Sequence, residues 1–159
     1  KDGDALRELA GMQLALASER QIDAQRAQAD SVLTAPGQTF QGFLVDGAPV
    51  IDDPVVEAVS NAAAIKVSQA NVLVQNALND AVTTYQRLTR VEPADATVQL
   101  ELAQTARQAA NDRVALGAYQ AFLKLAPDDP SASLVRQEIK SLRDAGVTPL
   151  GGASGSSGG

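Results

Sequence analysis

The chain has 159 residues, 45% of them hydrophobic, and a formal charge of −6 from 13 basic and 19 acidic side chains. That acidic balance, with no block of like charge, argues against nucleic acid or an anionic membrane surface as the partner. Cysteine and histidine are both absent, which excludes disulfides, thiolate chemistry, Cys or imidazole metal sites, and Ser-His-Asp or Cys-His nucleophile arrangements.

Two Tyr, three Phe and no Trp leave the core to Ala, Leu, Val and Ile, a composition that suits close-packed helices. No apolar run approaches the roughly 18 residues of a membrane span. The first residue, Lys1, stands inside what reads as a helix start, so the sequence is expected to be a fragment or processed product. Any anchor or targeting segment would then lie upstream.

From Gly3 to Leu33 no proline intervenes, and Leu6, Leu9, Ala10, Leu14 and Ala17 recur at helical spacing, followed by Ile22, Ala24, Ala27 and Val32. This predicts a helix over 3–33, with Asp2 as its cap. The connector 34–53 holds Gly37, Gly42 and Gly47 and two prolines. It contains the only strand-like runs, "TFQGFLV" and "PVI", around an Asp46-Gly47 turn signal. Asp53-Pro54 restarts a helix with a carboxylate cap and a first-turn proline. No Gly or Pro interrupts from Val55 to Glu92, giving a helix over 54–91 with a break at Asn76 to Asp80 left open. Asp95 opens the next helix to about Ala110, "NDR" at Asn111 to Arg113 reads as a turn, and Ala115 to Ala126 is helical again. Asp129-Pro130 starts a final helix to Asp144, and the Gly/Ser-rich residues 146–159 read as a flexible tail.

The chain repeats itself. A shift of 34 positions lays Ala81 on Ala115, Tyr85 on Tyr119, Gln86 on Gln120, Pro93 on Pro127 and Asp95 on Asp129; Val82, Leu88 and Val91 fall on Leu116, Phe122 and Leu125. This period and its small-aromatic-Pro punctuation resemble the tetratricopeptide repeat, a helix pair that stacks on the next pair. The resemblance implies that Ala115 permits close helix approach, that Tyr119 fills the space between pairs, and that Leu102-Ala103 takes the close-contact position. Asp2, Leu9 and Ala10 have the same mutual spacing as Asp95, Leu102 and Ala103, so the chain start resembles another first helix.

The resemblance implies an all-α domain over 1–145, built of antiparallel helix pairs. An elongated helical hairpin (3–33 and 54–91) forms the first repeat, 95–126 the second, and 130–144 a capping helix. In the elongated pair, Ile22, Ala24, Ala27, Val59, Ala63 and Ile65 are expected to be buried between the helices. The layout is also similar to that of bacterial membrane-anchored tetratricopeptide proteins with a Gly/Ser-rich tail, which implies a place in the cell envelope; the alternative is the cytoplasm.

The function expected from the resemblance is non-catalytic protein–protein interaction, without cofactor, metal, nucleic acid or small-molecule substrate. The rival is self-assembly, with the long hairpin pairing as a coiled coil. Candidate partner-binding residues are Arg7, Leu14, Gln104, Arg107 and Gln108 on the first helices, and Phe40, Phe43 and Leu44 in the connector. The family's Lys/Asn set for clamping a terminal carboxylate is missing from the lining positions. Tyr85 and Tyr119 at matched positions read as inter-helix core. The Asp52-Asp53 and Asp128-Asp129 pairs read as helix caps, and "DGD" at Asp2 to Asp4 lacks the remaining ligands of a calcium loop.

Overall fold

Prolines, capping side chains and helix-ending turns divide the described residues into five helices. The structure, a computed structural model, describes the backbone of residues 2–34, 44–45, 48–49 and 54–148, and the side chains of 2–32 and 58–148. The helices are α1 (Asp2–Thr34), α2 (Pro54–Val91), α3 (Ala96–Gln108), α4 (Asp112–Leu125) and α5 (Ala132–Asp144). The protein is thus all-α, apart from a minimal antiparallel ladder in the connector. There β1 (Leu44–Val45) pairs with β2 (Ala48–Pro49) in the register Leu44↔Pro49 and Val45↔Ala48, which places the Asp46-Gly47 turn signal between the paired residues. Phe40, Phe43 and the Asp52-Asp53 cap lie outside the described residues, as does the tail beyond Thr148.

Local chemistry explains each helix boundary in the second half. Asp95 accepts the backbone N–H groups of Thr97 (2.8 Å) and Val98 (3.3 Å), satisfying two of the free donors at the start of α3. At the other end, Ala110 N–H donates to Arg107 O and Asn111 N–H to Ala106 O, the paired bonds of a Schellman turn. That turn needs a left-handed residue, and Ala110 adopts it at φ 54. Asn111 then accepts the Val114 N–H at 3.4 Å. The expected turn at Asn111 to Arg113 is therefore corrected: α4 begins at Asp112, because Asn111 ends one helix and caps the next. At the end of α5, Gly146 (φ 80) forms the same turn, with Gly146 N–H donating to Arg143 O and Val147 N–H to Leu142 O.

Two other expected starts shift. Asp2 lies within the first turn of α1 instead of capping it. Asp129 accepts the Ser131 N–H at 2.7 Å, making a local turn, and α5 begins only at Ala132. Proline at 130 lacks an amide hydrogen, so the Asp129 carboxylate reaches the next available donor. The possible break at Asn76 to Asp80 does not occur: α2 runs 38 residues without interruption.

Within the expected 1–145 domain the chain divides into two compact units. One is formed by Lys1–Leu14 and the chain from Ala77 on; the other is Ala15–Asn76. The first has an ordinary hydrophobic core. Leu88, Val98, Leu116 and Phe122 are its largest fully buried side chains, and α5 adds Val135, Ile139 and Leu142. Ala81, Ala103 and Ala115 are all 0% exposed. α3 packs on α4, and α4 on α5.

The second unit is built differently. Among its described residues only Ala17 and Ala24 are buried. Its segments of α1 and α2 border one cleft of about 620 Å³, whose lining includes Asp23, Ala27, Ala63 and Lys66. The expected burial of Ile22, Val59 and Ile65 is not found: they are 49%, 45% and 57% exposed. Small residues occupy the inner positions instead. Ala17 and Ala24 are buried on α1, continuing at seven-residue intervals the buried Gly3 and Ala10 that α1 gives to the first unit. On α2, Ala63, Val67, Ala70 and Val74 are half-buried at alternating four- and three-residue steps. The least exposed positions of this unit are thus held by small or medium side chains, and the bulky ones face outward.

Candidate functional site

Arg7 and Arg107, the two charged members of the predicted partner-binding set, each reach from one helix to carboxylates on later segments. The Arg7 guanidinium donates to both Glu92, just after α2, and Asp95, the cap of α3. Burial pushes the Asp95 carboxyl up, but the Arg7 bond and the N–H groups of Val98 and Thr97 outweigh it and hold it below its ordinary value. The same two carboxylate bonds, Glu92 first, keep Arg7 still more firmly protonated than a free arginine. Gly3 belongs to this arrangement, because a Cβ there would collide with the Glu92 carboxylate.

Arg107, on α3, binds Asp112 in the first turn of α4 at 2.5 Å and lies 3.7 Å from Glu138 on α5. The two arginine clusters share a second feature. Tyr85 is raised above its ordinary pKa by burial and then by Glu101, with Arg7 opposing. Tyr119 is raised by burial and then by Glu138, with Arg107 opposing. An Arg-Tyr-Glu combination thus occurs twice, once as Arg7, Tyr85 and Glu101 and once as Arg107, Tyr119 and Glu138. Both tyrosines are nearly buried, at 6% and 5% exposure, in keeping with their reading as core.

Chemically, the clusters tie helix ends together. Their guanidiniums are engaged by carboxylates, and their phenols are displaced further from ionisation at neutral pH. Glu101 is also raised, by burial first and by Asp95, while Arg7 works against the rise. Among the described residues no group of three or more Asp or Glu is placed to hold a metal ion.

The other predicted site residues are distributed as follows. Gln104 and Gln108 on α3 are exposed, and Leu14 on α1 is half-buried. Leu44 lies in β1. Sequence reading missed Glu92, Asp112 and Glu138, the acidic halves of the clusters. Glu92 and Asp112 stand at helix ends and Glu138 midway along α5, and none of these positions says which arginine they meet.

Compared with known proteins, the chain matches no family model, no curated protein and no solved structure.

Proposed function

We propose that the chain is a non-catalytic protein–protein interaction scaffold of the tetratricopeptide repeat type, with recognition carried by the Ala15–Asn76 unit. The observation that carries this is where the large apolar side chains lie. Leu16, Ile22, Val32, Val59, Ile65, Val72 and Leu73, all in that unit, are 43–58% exposed, against Leu9, Met12, Val91, Leu125 and Leu134 in the longer unit. Exposed apolar side chains concentrated in one region mark interaction surfaces more often than they mark solvent-facing structure. The recurring Arg-Tyr-Glu combination, 34 residues apart at its tyrosines, supports the repeat reading. A place in the bacterial cell envelope follows from the resemblance alone; no helix among the described residues is long and apolar enough to cross a membrane.

A second reading, self-assembly, is favoured by one feature of α2. Ala58, Ala62, Ile65, Gln69, Val72 and Asn76 are all exposed and follow alternating four- and three-residue steps, the spacing of a coiled-coil seam. From Ala58 to Asn79 the helix carries a single charge, Lys66.

The double variant Ile65→Ser/Val72→Ser tests both readings. It should retain the helical circular dichroism of the wild type and lose the proteins that wild type captures from the source cells. Unaltered capture would place recognition elsewhere. Sedimentation velocity over a concentration series separates the readings: the scaffold sediments as a monomer throughout. A concentration-dependent dimer that the double variant abolishes would establish self-assembly instead.

A further inference from the structure

In a chain of net charge −6, four of the 13 basic residues meet in one groove. It lies between α4 and α5, has a volume of about 540 Å³, and is lined by Lys124, Arg136, Lys140 and Arg143 against a single carboxylate, Asp144. Leu123, half-buried, and Ile139, buried, supply apolar surface in the same groove. We propose that this groove binds an acidic peptide segment of a partner protein, its carboxylates meeting the four cations and an apolar side chain resting on Leu123 and Ile139.

The groove is set apart by gathering four cations in one concavity, since Lys66, Arg87, Arg90 and Arg113 elsewhere likewise form no ion pair among the described residues. Arg7, Arg20, Arg26 and Arg107 all have carboxylates within ion-pair distance. Lys124, Lys140 and Arg143 are exposed and form no ion pair among the described residues. Arg136 donates one N–H to Pro127 O at 2.9 Å and keeps its other donors. Helix-end electrostatics accounts for part of the cluster, since Lys124 and Arg143 stand in the last turns of α4 and α5, where cations complement free carbonyls. It does not account for Arg136 and Lys140, which precede that last turn and share a helix face with Arg143 at four- and three-residue steps.

Charge complementarity selects the occupant. A long polyanion would meet only four cations and then the repulsion of an otherwise acidic protein, so nucleic acid fits poorly. A short segment that alternates carboxylates with an apolar residue matches cations arranged beside an apolar floor. This site belongs to the unit that holds the hydrophobic core, and it stands whether or not the Ala15–Asn76 unit recognises a partner.

The test is fluorescence anisotropy with the full chain and a labelled Glu-Leu-Glu-Leu-Glu peptide, beside its Lys-Leu-Lys-Leu-Lys counterpart. The acidic peptide should bind, the basic one should not, and binding should weaken as salt screens the charges. The variant Lys140→Glu/Arg143→Glu, altered only at exposed positions, should keep the wild-type helical spectrum and bind at least about tenfold more weakly. Lys140→Gln alone should give a smaller loss. Undetectable binding of the acidic peptide, or binding that the charge reversal leaves unchanged, would overturn the assignment. So would equal or tighter binding of phosphatidylserine vesicles or an oligothymidine strand, which would give the groove to a lipid surface or a nucleic acid.

Discussion

The two units solve the problem of holding helices together in opposite ways. The unit formed by Lys1–Leu14 and the chain from Ala77 on buries Leu88, Leu116, Phe122 and both tyrosines, each such side chain contributing on the order of 1.5–3 kcal/mol by leaving water. Among its described residues the Ala15–Asn76 unit buries alanines and leaves Leu16, Ile22, Ile65, Leu73 and several Val residues at the surface. An alanine removes little apolar area, so this unit draws little stability from burial. The difference teaches that hydrophobic content does not locate a core. Burial does, and in the Ala15–Asn76 unit the buried positions are held by alanine while the large side chains face outward.

Mutations can break this contrast. Leu88→Ala and Tyr119→Ala, both in the core unit, should cost about 2–5 kcal/mol in urea titrations. A loss no larger than that of a surface substitution would show the core to lie elsewhere. In the other unit size should act in reverse: Ala24→Leu, at a buried seam position, should cost about 1–3 kcal/mol by overpacking, although it adds hydrophobic surface. A neutral or stabilising Ala24→Leu would mean that the seam is not tight.

Ala110→Gly sharpens the account of how the core unit is punctuated. Its left-handed backbone disfavours a Cβ and suits glycine, so the substitution should stabilise by about 1 kcal/mol. A destabilised variant would show the turn to depend on the Ala110 side chain.

Acid titration reads the Arg7 cluster. The Asp95 carboxyl is held low in the folded state, so its stabilising contribution is present above its unfolded pKa near ~4 and is lost as pH falls through the folded value. Asp95→Asn, which keeps a capping oxygen, should lose that contribution at neutral pH and converge with wild type in acid. Glu101 has the opposite sign: its raised folded pKa means stability is lost as pH rises through that value. Glu101→Gln should therefore be more stable than wild type at pH 7, with the gap closing below about pH 4. Parallel pH profiles for wild type and both variants would contradict this. The smallest effect belongs to Ile65→Ala, at 57% exposure, which should change stability by no more than about 0.5 kcal/mol.

Much of the fold was legible because helix boundaries are written in local chemistry. Asp95 as a cap, Pro127 after α4, and the gap-free run that became α2 are all readable from neighbours in sequence. The starts of α4 and α5 were misplaced by two or three residues, since Asn111 serves two helices at once and Asp129 turns back on Ser131. The inner positions of the second unit differ from expectation for another reason: periodicity marks Ile22 and Ala24 alike as apolar, and it is Ala24 that is buried while Ile22 is 49% exposed. Of the site, Arg7 and Arg107 could be singled out but their carboxylate partners could not, being set by tertiary packing. In the basic groove, Arg136, Lys140 and Arg143 share a helix face that the sequence displays, while Lys124 joins them only through the packing of α4 on α5.

Native-state hydrogen exchange, measured in dilute solution, tests the division between the units most directly. Amides of α4, within Asp112–Leu125, should exchange only through global unfolding, with a free energy equal to that from urea titration. Amides of α2 between Ala58 and Asn76 should exchange through lower-energy local opening and respond little to low urea. Equal protection in both segments, with the same urea dependence, would contradict the account and show that the Ala15–Asn76 unit is as firmly held as the core.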